Sequence, residues 1–156
     1  MIRKLILAAA TVAMTTTLAT SAEAATTTVR LHTQGDLSKF LADPGVGITS
    51  MVKSNASDPA QKWIRTDTDS GYATYRNAKF PDRCLTGRGI EGFPVVSVEK
   101  CQPGATRQQW KLGVSGDLQL RLNGLVAKHN LAGNGMGVLM SFFQNRPEQK
   151  WHTHPA

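Results

Sequence analysis

Long apolar runs, dense charge and aromatic residues are all scarce in this chain, and each scarcity removes a class of protein. Beyond the first two dozen residues no segment is long and apolar enough to cross a bilayer as a helix. No cysteine follows the early apolar stretch to carry a lipid. Lysine and arginine outnumber acids 18 to 11, yet they form no dense run, so the sequence shows a positive field without a defined patch. No RNA- or DNA-binding motif accompanies that field, which leaves acidic polysaccharide, anionic polymer or membrane ahead of nucleic acid as its partner. A charged fraction of 19% with 14 glycines is neither disordered nor collagen-like, and 156 residues suit one compact domain. No catalytic constellation is visible, and no cofactor or metal is called for.

What is present begins with an export signal. Arg3 and Lys4 are basic, Leu5 to Ala13 is apolar but short, and Ala22-Glu23-Ala24 is a small-residue cleavage site. Residues 1–24 therefore read as a secretory signal peptide and 25–156 as a single secreted domain. Cleavage removes Arg3, Lys4 and Glu23, lowering the formal charge of +7 by one. In an oxidising compartment the only two cysteines, Cys84 and Cys101, most simply form a disulfide. The alternatives are two metal ligands, with no partners nearby, or a thiol nucleophile needing a poised histidine.

All three tryptophans sit in one tripeptide pattern: Gln61-Lys62-Trp63, Gln108-Gln109-Trp110 and Gln149-Lys150-Trp151. Their spacings of 47 and 41 positions mark a repeated supersecondary unit. On a strand, residues i and i+2 share a face, so each Gln and Trp would point inward together, the indole filling the core and the amide satisfying buried backbone. The surroundings repeat too. Phe40-Leu41-Ala42 and Leu125-Val126-Ala127 stand where Cys84-Leu85-Thr86 stands, and counting back from each Trp aligns residues 45–54, 92–101 and 133–142. Short strands separated by Gly, Asn, Asp and Pro turns, without a long amphipathic helix, predict an all-β chain. Three copies (about 29–66, 67–113 and 114–153) closing on one core predict a pseudo-threefold barrel.

With three Gln-x-Trp triplets, Cys84-Leu85 and Cys101 nine residues before Trp110, residues 29 to 151 resemble the ricin B-type β-trefoil lectin domain. The resemblance implies an extracellular carbohydrate-binding module with up to three shallow pockets. It also implies what builds each pocket: an acid after the Cys-Leu position, a polar residue and an aromatic platform on the next strand, and Asn before the Gln-x-Trp triplet. The second repeat has Thr86, Ser97, Glu99 and Arg107 at those places. The first has Ala42 with Asp43 beside it, Ser50, Val52 and Ala60. The third has Ala127 then Lys128, Val138, Met140 and Glu148. No repeat keeps the galactose-type set. The candidate contacts are Thr86, Glu99, Arg107 and Gln108 in the second repeat, and His129, Asn145, Glu148 and Gln149 in the third. Asp43, Asn55 and Asp58 are a further cluster that also reads as turn formers. The other function class is protein recognition by a sugar-inactive trefoil, as an inhibitor or partner-binding subunit.

Four further motifs carry weaker readings. Gly87 to Gly92 spells G-x-G-x-x-G but is followed by Phe93-Pro94 and a β-rich run instead of a helix. Gly113-Val114-Ser115-Gly116 lacks the full nucleophile-elbow pattern. His152 and His154 could share a metal with His32 or His129, or simply belong to a mobile polar tail. Phe142-Phe143, if on a strand, would place one ring outward as a sugar platform near His129, Asn130 and Asn145, or pack under a loop.

Overall fold

The computed structural model describes residues 24–88, 94–132 and 137–156. Those residues form twelve strands, 3-10 turns and no α-helix. The strands fall into three groups of four. The first holds β1 (Thr26–Thr33), β2 (Lys39–Ala42), β3 (Ser50–Lys53) and β4 (Trp63–Asp67). The second holds β5 (Ala73–Asn77), β6 (Arg83–Gly87), β7 (Val96–Lys100) and β8 (Trp110–Leu112). The third holds β9 (Leu118–Leu120), β10 (Val126–His129), β11 (Val138–Ser141) and β12 (Trp151–Pro155).

Within each group the outer strands join a barrel and the inner two form a hairpin. Antiparallel ladders link β1 to β4, β4 to β5, β5 to β8, β8 to β9, and β12 to β1. The ring is completed by the Asp117–Lys150 bridge between the third group's outer strands. Hairpins β2–β3, β6–β7 and β10–β11 close one end, and single bridges at Ile48–Ser97 and Val95–Leu139 tie them together. This is a β-trefoil.

The tryptophans are buried in its centre, each at 1% exposure or less, within an apolar cluster that includes Leu31, Leu41, Leu85, Val98, Leu120 and Met140. Alternation explains the inward rows: in Val96-Ser97-Val98 and Leu118-Gln119-Leu120 every second side chain is apolar and faces the cluster. Every indole N–H is satisfied by a hairpin carbonyl: Trp63 donates to Leu41 at 3.0 Å, Trp110 to Leu85 at 3.0 Å, and Trp151 to Ala127 at 2.8 Å. One residue type thus fills the core and fastens hairpin to barrel.

The triplet is not wholly a strand, as the alternation argument expected. Each Gln closes a 3-10 turn and only the Trp begins the strand. The glutamines are nonetheless buried, because their amides hold the preceding loop. Nε2 of Gln61, Gln108 and Gln149 donates to the carbonyls of Lys53, Lys100 and Phe142, at 3.0, 3.0 and 2.7 Å. The matching Oε1 accepts from the backbone N–H of Asn55, Gln102 and Gln144. A disulfide joins Cys84 to Cys101 and leaves no free cysteine. The leader segment expected at 1–24 lies outside the described residues except for Ala24.

Candidate functional site

The indole bonds provide a ruler that counting from the tryptophans does not. They make Leu41, Leu85 and Ala127 equivalent, and strand pairing then matches Met51, Val98 and Met140. In the third repeat this moves the hairpin one place from the sequence alignment. Lys128, not Ala127, stands at the acid position; Leu139 and Ser141, not Val138 and Met140, stand at the polar and platform positions. The cause is a connection one residue shorter between β11 and its turn: Gln149 reaches back seven residues to its carbonyl partner, where Gln61 and Gln108 reach back eight. By the same rule Phe143 and not Phe142 matches Cys101.

Two open cavities occupy corresponding places in the first two repeats. The second-repeat cavity, about 400 Å³, is lined by Gly87, Arg88, Glu99, Arg107 and Leu122. The first-repeat cavity, about 380 Å³, has Asp43, Pro44, Val52, Ala60 and Lys79 at the matching positions, with Lys53, Asn55 and Asp58 around its rim. The chain places them alike because each lies between a hairpin and the 3-10 turn that the glutamine clamp holds against it.

In the second repeat, Glu99 sits between two guanidinium groups. Its Oε1 accepts from Arg88 Nε at 3.1 Å and lies 3.1 Å from Arg88 Nη2, and its Oε2 lies 3.3 Å from Arg107 Nη2. Ser97 Oγ also donates to Oε1, at 3.3 Å, and Arg107 donates to the Gln102 side chain at 3.1 Å. Arg88 is fixed by its backbone N–H to Val95, and Gly87 packs on Leu120 so closely that a Cβ would collide with it. The arginine side chains are open to solvent, at 60% for Arg88 and 42% for Arg107.

In the first repeat, Asp43 is wholly buried. Its Oδ1 accepts from Gly45 N–H at 2.8 Å and pairs with Arg83 at 3.1 Å, while Oδ2 has no hydrogen-bond partner among the protein atoms. Asp58 caps its turn through Ala60 N–H, and Asn55 turns the chain through Ser57 N–H. Asp58 and Asn55 are thus turn formers that also rim the cavity.

The third repeat differs. His129 is buried, with Nδ1 3.5 Å from Thr33 Oγ1, and burial holds its pKa below the ordinary 6.5. Glu148 lies 3.7 Å from Lys128 Nζ, and Gly35 comes so near that a Cβ would stand 3.1 Å from the Glu148 Cα. Asn145 is exposed in the left-handed region at φ 56°.

Of the eight sequence-named contacts, the structure opens Glu99, Arg107, Asn145 and Glu148 to some degree and buries Thr86, Gln108, His129 and Gln149. The buried four make their hydrogen bonds within the protein. Thr86 donates to the Cys84 carbonyl and accepts from Gln108, so neither polar group is offered outward. Arg88 and Leu122 line the second cavity and were missed. Arg88 hides inside the G-x-G-x-x-G spelling, of which residues 89–92 lie outside the described residues. Leu122 is 12 residues after its Trp, whereas its counterpart Lys79 is 16 after its own, so no fixed offset finds it.

The remaining motifs also resolve. Phe142 and Phe143 follow the end of β11, and both are exposed, at 70% and 44%, because strand alternation no longer applies. The histidine tail is strand β12, paired with β1. His32 and His154 meet there, with His152 stacked on His32 at 5.4 Å between ring centroids. Among the described residues no three His, Cys, Asp or Glu side chains are grouped to hold a metal. Gly113 to Gly116 forms the turn between β8 and β9.

Architecture and clefts together define a β-trefoil. Agglutinin from Abrus precatorius superposes with a TM-score of 0.65 at 14% identity, over 84% of this chain and 47% of that one. ThreeFoil, a designed threefold-symmetric protein, gives 0.68 at 18% identity, over 83% and 99%. Polyporus squamosus lectin, bound to the epitope Neu5Acα2-6Galβ1-4GlcNAc, gives 0.64 at 15% identity, over 83% and 49%. The chain thus spans about half the length of the two natural proteins and the whole of the designed one. No protein-family model and no curated protein matches the sequence.

Proposed function

We propose that this protein is a glycan-binding module that works outside the cell and has no catalytic activity of its own. The observation that carries the reading is the pair of equivalent open cavities in successive repeats, rimmed by polar side chains on a frame held by the glutamine clamps. A sugar ring needs such a place: a shallow cleft with several donors and acceptors at fixed positions. Lectins of the same fold, one of them bound to a sialylated trisaccharide, support it. Export is supported by the N-terminal charge and hydropathy pattern and by the disulfide, which persists in oxidising compartments. The absence of catalysis is supported by Glu99, the second cavity's carboxylate, being held by two arginines instead of standing free as an acid or base.

Immobilised glycans provide the test. Binding that free sugar competes away supports the reading, and a broad glycan array with no signal above background refutes it. A second reading, protein recognition, is favoured by the adjacent exposed rings of Phe142 and Phe143. Changing both rings to Ser should then abolish capture of a culture-derived partner while leaving glycan binding intact.

A further inference from the structure

We infer that the second-repeat cavity selects glycans bearing a carboxylate, a refinement that rests on the glycan-binding reading above. The described lining of this cavity holds no aromatic ring: Glu99, Arg88 and Arg107 supply its polar groups and Leu122 its apolar side. Without a ring to stack on, affinity must come from hydrogen bonds, and in an open cleft a neutral hydroxyl gains little over water. Charge-assisted bonds are about twice as strong as neutral ones, and a guanidinium matches a carboxylate with two parallel N–H donors.

The cavity holds the donors for such a ligand. Arg88 gives Nε and one Nη2 contact to Glu99, and its Nη1 has no protein hydrogen bond among those described. Arg107 gives Nη2 to Glu99 and to Gln102, leaving the rest of its fork for a ligand. Two positive groups share one negative group, so the trio carries a net single positive charge. Glu99 has a second role here. It is an internal brace that keeps both long side chains in place, so their freedom is already spent before a ligand arrives. A ligand carboxylate approaching the outward edges of the two arginines meets attraction from both and repulsion from a carboxylate already neutralised. A neutral sugar meets the same groups but gains no charge from them. The first-repeat cavity lacks this set, having Pro44, Val52 and Ala60 at the positions of Arg88, Glu99 and Arg107.

The test uses the whole secreted chain labelled for NMR, titrated with methyl β-D-glucuronide, methyl β-D-glucoside and acetate. The expected result is that the glucuronide shifts the amides of Arg88, Glu99 and Arg107, and that the glucoside binds there about tenfold more weakly, the worth of one charge-assisted bond. Arg88→Gln and Arg107→Gln should each weaken the glucuronide by about the same factor and leave the melting temperature unchanged, since both side chains are exposed. Equal binding of glucoside and glucuronide at these amides overturns the carboxylate selectivity and leaves the glycan reading standing. Acetate binding as tightly as the glucuronide overturns the sugar part, making the cleft a plain anion site. Silence from both sugars here, with array binding retained elsewhere, overturns the inference alone; silence on the array as well overturns both.

Discussion

His32 and His154 meet Nε2 to Nε2 at 2.7 Å across the seam where the first strand pairs with the last. His32 Nδ1 lies 3.2 Å from the Thr33 carbonyl, which fixes the proton there and leaves Nε2 to accept from His154. Arg30, in register with His154, stacks over Phe40 at 3.9 Å and adds a positive charge to the same face.

This arrangement predicts acid sensitivity. Burial first, then the neighbouring His154, His152 and Arg30, pull the His32 pKa below 6.5 despite the Thr33 bond; burial lowers His129 likewise. A histidine with a depressed folded pKa binds its proton more readily when unfolded. Its contribution is therefore intact above about pH 6.5 and is lost as pH falls from there through the folded pKa. The melting temperature should drop between neutral pH and pH 5, and His32→Gln should flatten part of that slope. A slope unchanged by His32→Gln and His129→Gln together would remove the histidines from the explanation.

Trp110→Ala should cost about 3 to 5 kcal/mol, the range for deleting a buried aromatic. The indole is fully buried and its N–H holds the Leu85 carbonyl at 3.0 Å, so the change opens a cavity and orphans a hairpin bond. Urea denaturation reads it out, and a near-neutral result would contradict the central packing.

Gln108→Ala tests the loop clamp. The amide satisfies the Lys100 carbonyl, Thr86 Oγ1 and Gln102 N–H, and leaving such buried groups unmade costs about 1 to 3 kcal/mol. Gln108→Glu keeps the size and the acceptor but loses both donors, so it should be nearly as damaging. Loss of glycan binding in either variant would be indirect and should disappear when binding is compared at equal folded fraction.

Reducing the Cys84–Cys101 bridge, or changing both cysteines to Ala, should lower stability by about 3 kcal/mol, the chain-entropy value for their separation of 17. Chemical denaturation with and without reductant measures it. The other repeats carry Ser54 and Phe143 at the position of Cys101, so this constraint acts on the middle third alone.

How much of this was legible in the sequence depends on what each residue touches. The core was legible because Trp63, Trp110 and Trp151 do the same job three times, and a side chain that large has few places to go. The third-repeat register was not, because one residue missing between Ser141 and Pro147 moves the hairpin without altering the tryptophan. Thr86 and Gln108 were sought at the surface because residue type alone does not say whether a hydroxyl or amide faces a ligand or its own loop. Arg88 belongs to the cleft through the hairpin pairing of Gly87 with Val96, a relation that local spelling does not reveal.

The pairing of residue 29 with residue 155 has a kinetic consequence. Contacts between distant positions form late, because a long loop must lose its freedom before they repay it. Assembly of this protein should accordingly be slow and concerted, and a partly made chain should expose indoles and unpaired strand edges until its final segment is in place.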